Sequence, residues 1–171
     1  RLNGPSGRAL DEKFLKPLRL TRGDVWLCDL LPYSRVNENQ KKAIDNFYMQ
    51  DLIQKYGLTP ATIPLFDKKE LNSASRRAAI LQELEDSKAE TFILLGDLPI
   101  YWFLRYFDKR YSRLAQFVEN DVNYGDPVPI RINDKIYNVL PLCHHRQANR
   151  IGISGVNWGA LHDLWVTRSR Q

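Results

Sequence analysis

Short unbroken apolar runs alternate along this chain with stretches in which apolar residues recur every third or fourth position. The first pattern, bounded by turn formers, predicts buried strands, and the second predicts helices with one inward face. After the turn-rich "GPSG", Leu10, Phe14, Leu15 and Leu18 predict a short helix that Pro17 shortens or kinks. Residues 25–31, closed by Pro32, predict a buried strand. Ala43, Ile44, Phe47, Tyr48, Leu52 and Ile53 predict one helix over residues 39–56, stopped by Gly57. An extended, proline-punctuated stretch follows. Asn72 or Ser73 then caps a helix that turns Ala79, Ile80 and Leu84 inward.

The second half repeats the alternation. "TFILLGD" predicts a strand ended by Gly96, and Pro99 occupies the first turn of the next helix. The pair Asn133–Asp134 predicts an antiparallel pair or an edge strand, and residues 137–142 a final buried strand. A last helix, capped by Ser154, faces Trp158, Leu161 and Trp165 inward. Strands alternating with helices predict an α/β fold with a mainly parallel sheet, whose ligand site lies beyond the carboxyl ends of its strands. The residues leaving those ends are Asp29 and Tyr33, then Gly96 and Asp97, then His144, His145 and Arg146.

Composition narrows the class. The 171 residues, 43% hydrophobic, suit one domain with a real core, and a net charge of +5 suits a polyanionic partner without demanding one. Two cysteines, Cys28 and Cys143, provide neither a disulfide framework nor a four-thiolate metal site. A reducing, cytoplasmic setting is the default. No apolar run reaches the roughly 18 residues of a membrane span, so no membrane association is expected. No P-loop, dinucleotide fingerprint or nucleophile elbow occurs.

The chemistry-bearing candidates each have two readings. His144, at the end of the last strand, either donates to an anion developing on a leaving group or satisfies a loop carbonyl. His145 is the weaker partner, because adjacent strand residues point to opposite faces. Cys143 reads as buried packing, and Cys143, His144, His145 and His162 match no zinc spacing, so no metal is expected. Arg146 and Arg150 form a basic loop that either grips phosphates or is ordinary surface. "RYFDKRYSR", from Arg105, either binds a single strand by stacking and cation contacts or buries Tyr106 and Phe107. Asp29 either accepts hydrogen bonds from a base edge or caps a loop.

Taken in order, "NGPSGRALDE", "TRGDVWLCDLLPYS", "FILLGDLPIYWFL" and "NVLPLCHHRQANRIG" resemble the uracil-DNA glycosylase superfamily, in particular its bacterial uracil-DNA glycosylase-like members. The resemblance runs from about Asn3 to Trp165. It implies a three-layer α/β/α sandwich around a four-stranded parallel sheet, and hydrolysis of the N-glycosidic bond of a damaged base flipped out of DNA. It implies further that His144 stabilises the departing base anion, that Asp29 stands where many members read the pyrimidine edge with Asn, and that Arg146 sits in the loop entering the duplex, with His145 and Arg150 beside it. Gly4, Ser6 and Gly7 match a glycine-rich turn near the DNA, and Leu2 stands where several members stack a phenylalanine on the base. The family's first strand and its water-positioning motif belong upstream of Leu2 and are expected to be missing. No cofactor is implied, and a monomer bound to damaged DNA is the expected state. A nucleic-acid-binding member without turnover, and a hydrolase or transferase acting on free nucleosides, stay open beside the excision enzyme.

Overall fold

The computed structural model describes residues 4–59, 63–118, 123–145 and 156–169. The chain starts with α1 (Pro5–Ala9), which continues unbroken as a π-helical segment (Leu10–Leu15) and a 3-10 turn (Lys16–Leu18). Then come α2 (Glu38–Phe47), α3 (Gln50–Lys55), α4 (Lys68–Leu71), α5 (Ala74–Ser87), β1 (Thr91–Leu95) and α6 (Asp97–Trp102). Two 3-10 turns (Leu104–Tyr106 and Leu114–Phe117) lead to β2 (Val128–Ile132), β3 (Lys135–Leu142) and α7 (Trp158–Ser169). These elements divide into two compact units, one from Arg1–Leu27 with Leu81–Gln171, the other Cys28–Ile80.

The sheet belongs to the first unit and corrects the predicted architecture. Among the described residues it has three strands, ordered β1-β3-β2, with β3 parallel to β1 and antiparallel to β2. The fold is therefore mixed α/β with a three-stranded mixed sheet, and not a three-layer α/β/α sandwich with a four-stranded, mainly parallel one. The predicted strand over residues 25–31 does not form, and Trp26 and Leu27 are 61% and 49% exposed. An apolar run specifies side chains that fit a pleated surface, but the ladder also needs a neighbour whose N–H and C=O groups pair with it.

Where neighbours exist, the strands follow their pattern. Asn133 adopts a positive φ of 50° in the two-residue turn between β2 and β3, as a tight hairpin requires. Ile130 and Ile132 are buried while Arg131 between them is exposed. As the central strand, β3 buries every residue from Val139 to Leu142. Pro141 is tolerated there for a geometric reason. Asn138 donates to the Glu90 carbonyl on the β1 side at 2.9 Å, so alternate residues 139 and 141 face the β2 side, where pairing stops at Val139. Its missing N–H removes no ladder bond.

Pro17 shapes the first helical run in the same manner. In an α-helix its N–H would bond the carbonyl of Lys13, and its ring crowds that carbonyl. The run does not stop; it widens to π geometry and closes as a 3-10 turn, burying Phe14, Leu15 and Pro17. At α7, Trp158, Leu161 and Trp165 are buried as patterned, together with His162. The predicted cap, Ser154, lies outside the described residues; Asn157 Oδ1 accepts from Ala160 N at 3.2 Å in the capping position.

In the second unit the single helix predicted over residues 39–56 is two. Asn37 and Gln40 form a capping box on α2 with two bonds of 2.9 Å, and the chain leaves helical geometry at Tyr48 and Met49 before α3. Neither helix buries a residue, and Phe47 is 78% exposed. Without a packed face nothing holds the two segments in line. A parallel bridge joins Val36 to Leu65, and Arg35 pairs with Glu70 at 2.7 Å. Ser73, of the two candidates, caps α5 by accepting from Arg76 N at 3.3 Å. Ile80 is buried as expected, whereas Ala79 is exposed.

Candidate functional site

The carboxyl ends of β1 and β3 lie side by side, because Gly96 N donates to the Leu142 carbonyl at 2.8 Å. Gly96 has φ 85° and ψ −173°, a region essentially restricted to glycine, and this turn launches α6 directly from the strand end. Asp97 beside it is a structural acid: its Oδ1 accepts from Leu114 N at 2.7 Å. From β3 the chain passes through Cys143 to His144 and His145, both half-buried. Their ring centroids are 4.1 Å apart and tilted by 40°. The expectation that they diverge to opposite faces is thus corrected, since pairing ends at Leu142 and the alternation of a strand no longer applies.

The glycine-rich turn reaches the same place. Gly4 accepts from Gly7 N at 3.0 Å and from Arg8 N at 3.2 Å, starting α1, and Ser6 Oγ lies 3.4 Å from His145 Nε2. Gly7 is buried, whereas a Cβ on Gly4 would meet nothing within 4 Å. Gly4, Ser6, Gly7, His144 and His145 therefore belong to one neighbourhood. What the arrangement offers chemically is a pair of adjacent, mutually tilted imidazoles and a hydroxyl at the edge of the parallel strands, a place where donors can meet an anion.

Beneath it lies a buried relay. Cys143 N–H faces the side that β2 no longer reaches, and it donates to Tyr124 Oη at 2.9 Å. Tyr124 Oη is 2.9 Å from His162 Nδ1, and His162 Nε2 is 2.9 Å from the Lys13 carbonyl, the one deprived of its helical donor by Pro17. A carbonyl only accepts, so Nε2 carries the proton, Nδ1 accepts, and the phenol donates to it. Every member is satisfied. His162 packs between Phe14 and Trp165, at 4.9 and 5.1 Å between centroids.

Burial sets the charge state of all three groups. It pushes the Tyr124 phenol and the Cys143 thiol above their ordinary values and holds His162 below its own. At neutral pH the relay is uncharged, and the Cys143 thiol stays protonated. This cluster positions the start of the His144–His145 segment. Sequence reasoning singled out neither Tyr124 nor the part played by His162. The signal for His162 was present: positions 158, 161, 162 and 165 share one helix face. Tyr124, inside a turn-rich stretch, carried none.

The other expected site residues lie in the second unit or outside the described residues. Asp29 belongs to the second unit, where it is exposed on an irregular segment and does not stand at a strand end. That segment is held by Arg76, which donates to the Asp29 carbonyl and, at 3.1 Å, to the Leu30 carbonyl. Tyr33, in the same segment, is 71% exposed. Leu2, Arg146 and Arg150 lie outside the described residues. Among the described residues no group of three or more His, Cys, Asp or Glu side chains could hold a metal ion. A shallow depression lined by Asp11, Leu15, Thr21 and Arg22 contains none of the candidate residues.

No protein-family model, curated protein or solved structure matches this chain. Among the described residues no helix is long and apolar enough to cross a membrane.

Proposed function

We propose that the chain is a cytoplasmic, uracil-DNA glycosylase-like protein that hydrolyses the N-glycosidic bond of a damaged or deaminated base flipped out of DNA, working as a monomer without a cofactor. In this reaction the bond between C1′ and the base breaks, water supplies the hydroxyl at C1′, and the base departs as an anion that takes up a proton. His144 donates to that anion. His145, held near Ser6, and the Gly4–Gly7 turn border the sugar and phosphates, with Arg146 and Arg150 as phosphate contacts. One observation carries the reading: the two imidazoles and the glycine-rich turn, 139 residues apart in sequence, meet beside the carboxyl end of β3. Cys28 and Cys143 are not joined as a disulfide, which accords with a reducing compartment.

Asp29 as a base reader only accepts hydrogen bonds when ionised, so bases presenting an amine or a protonated edge are preferred to uracil. The exposed, strandless position of Asp29 favours a second reading, nucleic-acid binding without turnover. Base release from oligonucleotides carrying uracil, hypoxanthine and related lesions, measured beside binding at several salt concentrations, separates the two. Excision that falls about 10²–10³-fold in His144→Ala supports the enzyme. Salt-sensitive binding without release supports the second reading, and neither binding nor release removes both. Uracil-selective turnover would overturn the part assigned to Asp29.

A further inference from the structure

Residues 101–113 carry the second aromatic and basic stretch, and the function proposed above makes no use of it. Its backbone is pinned by buried Ile100 before it, by buried Phe103 and Leu104 within it, and by buried Leu114 and Phe117 after it. Between these anchors the aromatic side chains are only partly absorbed by the core. Phe107 packs on Phe103 at 5.3 Å, but Tyr106 is 48% exposed and Tyr101 40% exposed, so the core reading of Tyr106 does not hold. Tyr111 is stacked on Phe117 at 3.8 Å with planes 10° apart, which fixes its ring.

The cations are interleaved with these rings. The Arg105 guanidinium lies 4.9 Å from the Tyr101 centroid, and that of Arg110 lies 5.3 Å from the Tyr111 centroid. Four cations, Arg105, Lys109, Arg110 and Arg113, face one acid in the segment, Asp108, which Arg110 already engages at 2.7 Å. Three positive charges are left over. Partly exposed tyrosine side chains and surplus cations on one fixed backbone are the two elements of a platform for unpaired bases and their phosphates. A duplex offers phosphates but keeps its base faces stacked, and an acidic peptide offers charge without faces.

We propose that residues 101–113 bind single-stranded nucleic acid, with Tyr106 stacking on a base and Arg105, Lys109 and Arg113 neutralising phosphates. The surface acts whether or not the protein excises bases. Fluorescence anisotropy of the full chain with a labelled 12-nucleotide oligothymidylate, a matched duplex and a poly-glutamate competitor, over a salt series, tests it. Tyr106→Ala weakens oligothymidylate binding about ten-fold while leaving the salt slope unchanged, and Tyr106→Phe restores it. The double variant K109Q/R113Q reduces the salt slope by about 1.4, at roughly 0.7 per phosphate on a single strand. Oligothymidylate binding indifferent to Tyr106→Ala overturns the proposal. So does duplex binding of equal strength, or displacement by poly-glutamate with no dependence on Tyr106, which would mark an acidic protein partner. Oligothymidylate holds no excisable lesion, so failure of the excision reading leaves this result standing.

Discussion

Replacing Tyr124 with phenylalanine removes one oxygen and breaks the buried relay at its centre. The ring stays, so packing is conserved, but Cys143 N–H loses its acceptor and His162 Nδ1 loses its donor. His162 cannot repair the loss by shifting its proton, because Nε2–H is committed to the Lys13 carbonyl. A buried polar group left unsatisfied costs about 1–3 kcal/mol, so two of them, less the hydroxyl's own desolvation, amount to roughly 3 kcal/mol. For a chain of this size that lowers Tm by about 6–12 °C. Urea unfolding measures it directly, as a drop in the midpoint at unchanged m. A double-mutant cycle of Tyr124→Phe with His162→Leu should be non-additive by about 1 kcal/mol or more, since each change already breaks the shared bond. Stability of Tyr124→Phe within about 0.5 kcal/mol of the parent, or an additive cycle, would refute the proton assignment on which the relay rests.

Gly125→Ala tests the turn that docks on the last helix. Gly125 has φ 76° within residues 123–126, a Cβ there would collide with the Trp165 indole, and Arg168 holds both sides of the turn through the Tyr124 carbonyl and Asp126. Left-handed strain and overpacking together cost about 2–4 kcal/mol, readable as a lowered urea midpoint; a neutral variant would mean the turn is not seated there. The pH profile tests His162. Its folded pKa lies below the ordinary 6.5, so the unfolded chain takes up the proton more readily. The histidine's contribution is complete above about pH 6.5, declines as pH drops towards the lowered folded value, and levels off below it. Stability from pH 8 to 4 in the parent and in His162→Leu should differ in slope within that window, and parallel profiles would contradict the burial argument.

The elements readable in the chain were those whose partners are written nearby. The hairpin follows from Asn133–Asp134 between alternating apolar residues, the cap of α5 from Ser73, and the inward stripe of α7 from Trp158, Leu161 and Trp165. Residues 25–31 misled because their apolar content says nothing about whether another strand stands ready to pair. The helix over residues 39–56 misled because periodicity marks a potential face, while continuity depends on something covering it. At the site, the ends of β1 and β3 were legible from Gly96 and the "CHH" that follows Leu142. The orientation of the two imidazoles was not, since the rule of alternation lapses with the last ladder bond. Tyr124 was invisible for a related reason: it replaces a strand, serving a single N–H that β2 does not reach.

The bond from His162 to the Lys13 carbonyl spans 149 positions. A ribosome must synthesise that whole interval before the oxygen finds its mate, so a turn that emerges early within this unit is fastened late. Pro17 thereby strips a carbonyl of its partner in the first helical run, the imidazole on α7 supplies the replacement, and assembly of this unit is obliged to wait for that helix.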